Sequence, residues 1–194
     1  MTIKTSEKNI YWGYYLALES DLEKLARYIE FDESNFETHS IELAHLLLAA
    51  SSEVDVVMKE LCKLLSPESK LVNIDSYQEI IKEHMTPIIS KNVISNRYGL
   101  TLSPWSNWDD SKSPDWWRGY NNIKHDRSIH FSKANLKNVL NSMAGLFITN
   151  IYFNNEKICS ENERALLDMR HTITQLVPGS NLFRLDDPFL YLDE

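Results

Sequence analysis

The sequence predicts an all-α protein, a helical bundle of about five helices with a long central pair and an aromatic-rich loop. Apolar residues recur at three- and four-residue spacing in several segments, two of them long. Hydrophobic residues make up 43% of the chain, enough for a sizeable core, and only 5 Gly and 6 Pro argue against a turn-rich β-sandwich. At 194 residues a single domain, 1–194, is expected, with its core at about 14–155 and a C-terminal extension at about 156–194.

Residues 1–10 read as a polar arm. From Tyr14 to about Phe31, Leu18, Leu22, Leu25 and Ile29 have helical spacing, and Asp32 to Asn35 make a turn. A long helix follows from about Thr38 to Leu65, ended by Ser66-Pro67. Its stripe runs Leu46, Ala50, Glu53, Val57, Leu61 and Leu64, so Glu53 interrupts an apolar line. A carboxylate there needs a partner. Either an arginine of the bundle pairs with it, or Glu53 orients His125 or Arg118.

Ser76 with Glu79 makes a capping box for a helix that stops before Pro87. Val93-Ile94 and Tyr98 to Leu102 read as short extended pieces, followed by an aromatic-rich loop from Ser103 to Asp110; Trp105, Trp108, Trp116 and Trp117 lie within thirteen residues. Such a cluster can stack bases, but it more commonly pins a long loop to a bundle. Ser132 is expected to cap a second long helix, Lys133 to about Phe153, in which Gly145 permits close approach. Ser160 with Glu163 marks a further cap leading into Leu166, Leu167 and Met169. The tail from Val177 to Glu194 either docks as an extended strap or meets a partner.

Several classes are disfavoured. The opening MTIKTSEKN has no basic-then-apolar signal region, and the longest purely apolar run, Leu46 to Ala50, is far short of a membrane span. Cys62 and Cys159 are isolated, and Cys62 lies in an apolar helical pattern that predicts a buried thiol. There is no Cys/His cluster with metal-site spacing and no Gly-rich phosphate loop. A cytoplasmic protein without membrane, metal or cofactor is therefore expected. The net charge of −8 counts against a broad, sequence-independent grip on nucleic acid. Between Trp116 and Asn138, however, Arg118, Lys124, Arg127, Lys133 and Lys137 face Asp126 alone. Such a ridge suits one phosphodiester, an acidic peptide or a partner subunit.

The ridge contains the most informative stretch, Pro114 to Arg127. Ser113 is a good N-cap, Pro114 suits the first helical position, and Asp115 complements the positive end of the helix dipole. Arg118 and His125 are seven positions apart, so they return to nearly one face about 10 Å apart, with Asn121 and Asn122 between them and Lys124 alongside. A fixed cation, two amides and an imidazole on one ridge can bind a phosphate and move a proton beside it. A second Arg-x6-His pair, Arg164 to His171, sits in an ordinary amphipathic segment.

Two segments together resemble the HEPN superfamily of small helical bundles. One is Ser51-Ser-Glu-Val-Asp55 followed by Lys59-Glu-Leu-Cys62. The other is Trp117-Arg118-Gly-Tyr-Asn-Asn-Ile-Lys-His125. The similarity covers about Tyr14 to Phe153. It implies a metal-independent endoribonuclease of a toxin–antitoxin, abortive-infection or other antiviral defence system. His125 would be its general acid or base, and Arg118 would hold the scissile phosphate. It also implies a homodimer in which two motifs form one cleft, and an antitoxin protein as a possible partner. The position after the arginine is usually polar in active members and is Gly119 here. Either Asn121 or Asn122 supplies the missing contact, or the chain belongs to a non-catalytic branch that binds a nucleotide, RNA or protein.

Overall fold

Two helices of 25 and 26 residues frame the molecule. The computed structural model describes residues 8–161 and 169–191. Among them the helices are α1 (Ile10–Leu25), α2 (Ile41–Leu65), α3 (Ile74–His84), α4 (Pro87–Ser90), α5 (Asp115–His130), α6 (Leu136–Glu161) and α7 (Met169–Gln175). The strands are β1 (Val93–Ser95), β2 (Leu100–Leu102) and β3 (Arg184–Leu185). Five helices have eleven residues or more, and α2 packs against α6 more extensively than any other pair of elements. This is the mostly-α bundle with a long central pair that the periodicity predicts. No helix among the described residues is long and apolar enough to cross a membrane.

The ends of the helices show where local chemistry wins and where tertiary contacts do. Helix α1 starts four residues earlier than expected because Asn9 Oδ1 accepts the Trp12 N–H at 3.1 Å, and it stops at Leu25 rather than near Phe31. Ser40 caps α2 through the Leu43 N–H at 3.1 Å, and the Ser66 N–H closes it on Cys62 O at 2.8 Å, just before Pro67. The box at α3 is shifted. Asn73 is the N-cap and Ser76 the reciprocal third residue, with Ser76 N donating to Asn73 Oδ1 (3.1 Å) and Asn73 N to Ser76 Oγ (3.2 Å).

Helix α6 is capped by Asn135, not Ser132. Residues Phe131–Lys133 form a separate 3₁₀ turn, and Asn135 Oδ1 accepts the Asn138 N–H at 3.0 Å. The helix runs on past Phe153, so Ser160 lies inside it and returns its hydroxyl to Lys157 O at 2.8 Å. Arg164, Glu163, Leu166 and Leu167 lie outside the described residues, as does most of the expected N-terminal arm.

The two extended pieces pair as a hairpin, Val93 with Leu102 and Ser95 with Leu100, closed by Gly99 at φ 64°. The tail adds β3 to the other edge of β1, giving the order β2-β1-β3. It thus docks as a strap. Glu19, buried in α1, accepts hydrogen bonds from Tyr15 Oη (2.7 Å), Asn181 N (3.1 Å), Leu182 N (3.1 Å) and the Ser180 hydroxyl. Phe183 is buried behind this latch, whereas Phe189 is exposed.

The four clustered tryptophans are core, not a stacking surface; all are buried. Trp105 packs on Trp108 and Trp116 with ring centroids 4.4 and 5.2 Å apart, and Trp116 Nε1 donates to Pro104 O at 2.8 Å. Gly145 of α6 makes room for them, since a Cβ there would lie 3.3 Å from Trp116 and 3.5 Å from Trp105. The loop thereby locks α5 against α6. Cys62 is buried as expected, and burial pushes its thiol up to about 12.

Candidate functional site

Helix α5 carries the motif. Pro114 has an extended ψ of 145°, so it occupies the N-cap position, and Asp115 is the first helical residue. Ser113 is not the cap; its hydroxyl reaches Asp75 Oδ1 at 3.4 Å. The helix is regular until Asp126, whose φ −147° and ψ 74° break it. The Ser128 hydroxyl donates to Asp126 Oδ1 at 2.7 Å at the break. His125 is the last residue of the straight segment.

The ridge is divided by its neighbours into two clefts. The first, about 300 Å³, runs between α5 and the start of α6, and Arg118, Gly119, Asn122, Lys133, Lys137 and Asn138 line it. The second, about 400 Å³, lies toward the start of α3, with Asn121 and Lys124 beside Asp55 and Asp75. Arg118 borders both. Asn122 lines the first cleft and Asn121 the second. The two asparagines therefore serve different clefts.

The arginine is tethered loosely. It pairs with Asp115, three residues back, and the two side chains are 54% and 56% exposed. An exposed pair of this kind stabilises by only about 0–1 kcal/mol, so a phosphate can take the guanidinium from it. Glu37, the other acid of the first cleft, accepts from Asn135 Nδ2 at 3.1 Å. Lys133 and Lys137 have no acidic partner among the described residues. The first cleft thus presents one loosely held cation and two free ones. In the second, Lys124 is anchored on Tyr120, 3.3 Å from its hydroxyl and 5.4 Å from its ring centre.

His125 is exposed, has no hydrogen bond or ion pair among the described residues, and lines neither cleft. Glu53 makes neither of the contacts expected of it. Half-buried in α2, it has no ion pair or hydrogen bond among the described residues, and burial raises its carboxyl above the ordinary carboxylate value. Gly119 is buried against α6, where a Cβ would stand 2.7 Å from Asn138 Nδ2. The place of a polar side chain at 119 is thus filled from the neighbouring helix by Asn138, which the motif does not contain.

Motif reasoning misses Asn138, which lines the first cleft, and Asn141 and Phe36, which line a cleft adjoining it. The asparagines had a signal in the three-residue spacing Asn135, Asn138, Asn141 on the polar face of an apolar helix. Phe36 had none. It reaches the site because Lys137 N donates to Phe36 O (3.1 Å) and Leu136 N to Thr38 O (2.9 Å), which lays the segment before α2 along the start of α6.

Among the described residues no group of three or more His, Cys, Asp or Glu is placed to hold a metal ion. What the site can offer is a bidentate guanidinium, two ammonium groups, amides and one imidazole. No protein-family model matches the chain, and no similar curated protein or solved structure was found.

Proposed function

We propose that the chain is a metal-independent endoribonuclease of the HEPN type, acting in a toxin–antitoxin, abortive-infection or related antiviral system. The observation that carries this reading is the pairing on one helix of Arg118, at the rim of a cleft that also holds Lys133 and Lys137, with an exposed His125 that has no partner among the described residues. RNA brings its own nucleophile, the 2′-hydroxyl. Arg118 exchanges Asp115 for the scissile phosphate and offsets charge on the phosphorane-like transition state. Lys133 and Lys137 hold neighbouring phosphates. His125 takes the 2′-proton or protonates the leaving 5′-oxygen. One imidazole performs one of these steps at a time. Because His125 stands outside its own cleft, a second copy of the chain is the natural source of the other, and a homodimer is part of the proposal.

The test is cleavage of a mixed single-stranded RNA pool in EDTA. The wild type is expected to leave 2′,3′-cyclic phosphate ends, and His125→Ala to lose at least ~10²-fold in turnover while still binding RNA. Cleavage that persists in the variant, or that requires a divalent metal, refutes the assignment.

A second reading has its own support. Asn138 closes the space beside Gly119, and His125 lines neither of the two clefts along the ridge. Both suit a non-catalytic module that binds a nucleotide, RNA or protein through the same cleft. Well-folded wild-type protein that binds RNA without cutting it favours this alternative.

A further inference from the structure

We propose that the cleft adjoining Arg118 contains a nucleobase subsite that selects a base with an exocyclic amine, cytosine over uracil. The proposal rests on the reading that this chain binds RNA, and it adds which base sits beside the bound phosphate. The subsite is a cleft of about 280 Å³ whose walls include Phe36, Asn107, Trp116, Lys137, Asn138 and Asn141. Asp115, Lys137 and Asn138 line it and the Arg118 cleft alike, so the two clefts adjoin. A nucleotide with its phosphate on Arg118 places a base in the adjoining part.

The lining fits a base better than a second phosphate. Phe36 is half-buried, packs against the core and lines the cleft, and with no aromatic partner among the described residues the part of its ring left exposed can meet a base. The N–H groups at the start of α6 are already used. Leu136 N donates to Thr38 O (2.9 Å), Lys137 N to Phe36 O (3.1 Å) and Asn138 N to Asn135 Oδ1 (3.0 Å). The helix end therefore offers no anion site, and side chains set the recognition.

Two amides decide which base. Asn138 Nδ2 donates to Lys133 O and Asn141 Nδ2 to Lys137 O, each at 2.9 Å. A backbone carbonyl can only accept, so these bonds fix which end of each amide is nitrogen. Both Oδ1 atoms are left without a partner among the described residues. Asn138 and Asn141 both line the cleft, and each Oδ1 can accept from a donor bound there. Cytosine offers its N4 amine at the edge where uracil offers the O4 acceptor. The amine can donate to these amide oxygens, whereas O4 can only accept and is left to the second hydrogen of an amide nitrogen.

The test uses His125→Ala protein in EDTA, with short labelled oligocytidylate and oligouridylate of equal length, read by fluorescence anisotropy. Oligocytidylate is expected to bind roughly 3- to 10-fold more tightly, the worth of about one net hydrogen bond. Asn141 is partly exposed and bonds only within its own helix, so Asn141→Ala is the variant that spares the fold; Asn138→Ala is the second. The preference should fall below about 2-fold in at least one of them, with oligouridylate binding retained. Equal affinity for both RNAs in the parent protein, or a preference unchanged in both variants, overturns the subsite and leaves the RNA reading standing. Binding to neither RNA overturns both.

Discussion

Replacing Gly119 by Ala sets two effects against each other, and their magnitudes decide the sign. Alanine is better than glycine in a helix interior by about 0.8–1 kcal/mol, so a surface glycine would gain by the change. Gly119 is not on the surface: the new methyl would lie 2.7 Å from Asn138 Nδ2 and 3.5 Å from Lys133 O. Asn138 must then leave its 2.9 Å bond to Lys133 O. A partly buried carbonyl left unpaired costs roughly 1–3 kcal/mol, and an off-rotamer Asn138 roughly 0.5–1.5 kcal/mol more. The clash outweighs the propensity, and a net loss of about 2 kcal/mol is expected. For a chain of this size that lowers Tm by about 4–8 °C. In an Asn138→Ala background the obstruction is gone, and Gly119→Ala should stabilise by the propensity alone, about 1 kcal/mol. The assay is thermal and urea unfolding of the four proteins of this cycle, with a coupling near 3 kcal/mol expected. A stabilised Gly119→Ala single variant, or the same cost in both backgrounds, would show that Asn138 does not close this space.

Three further outcomes follow from the structure. Glu19→Ala leaves Tyr15, Ser180 and two backbone N–H groups without their acceptor. It should destabilise by about 3 kcal/mol and open the chain near Ser180 to limited proteolysis; a wild-type digestion pattern would rule out the latch. Arg118→Ala should leave stability within about 0.5 kcal/mol, because its ion pair with Asp115 is exposed, yet weaken RNA binding; a large drop in Tm would mark the arginine as structural. At alkaline pH the protein should lose stability. Burial raises Cys62 and Tyr152 to about 12 and holds Tyr15 well above its ordinary value, so the unfolded chain releases these protons first. Groups raised in the folded state contribute fully below their unfolded pKa. Here that contribution is lost from about pH 9 for the thiol and 10 for the phenols, up to about 12, at roughly 1.4 kcal/mol per pH unit per group. Urea midpoints across pH 8–12 measure it, and a flat profile would contradict the burial of these side chains.

Much of the fold was legible because it is written in local terms. The stripe from Leu43 to Leu65 has helical period, Ser66-Pro67 ends it, and Val93–Ser95 and Leu100–Leu102 are extended within the stretches the pattern marks, although their pairing was not legible. The caps were less so. Asn73, Asn135 and Pro114 displaced Ser76, Ser132 and Ser113 by one to three residues, since each segment offers several capping side chains and tertiary contacts select among them. The strap was only half legible. Its aromatic residues mark it as something that docks, but its latch, Glu19, is about 160 positions away in the chain.

The sequence by itself determined the helical class, the central pair, the buried thiol and the seven-residue spacing of Arg118 and His125, because periodicity, burial preference and helix pitch act along the chain. Only the tertiary structure decided what surrounds that motif. It buried the tryptophans, left Glu53 without a partner among the described residues, split Asn121 from Asn122, and brought Asn138, Asn141 and Phe36 to the cleft that adjoins Arg118's. A cleft is made by the faces that helices turn toward one another. Those faces are set by packing, down to the room that a single glycine leaves for Asn138.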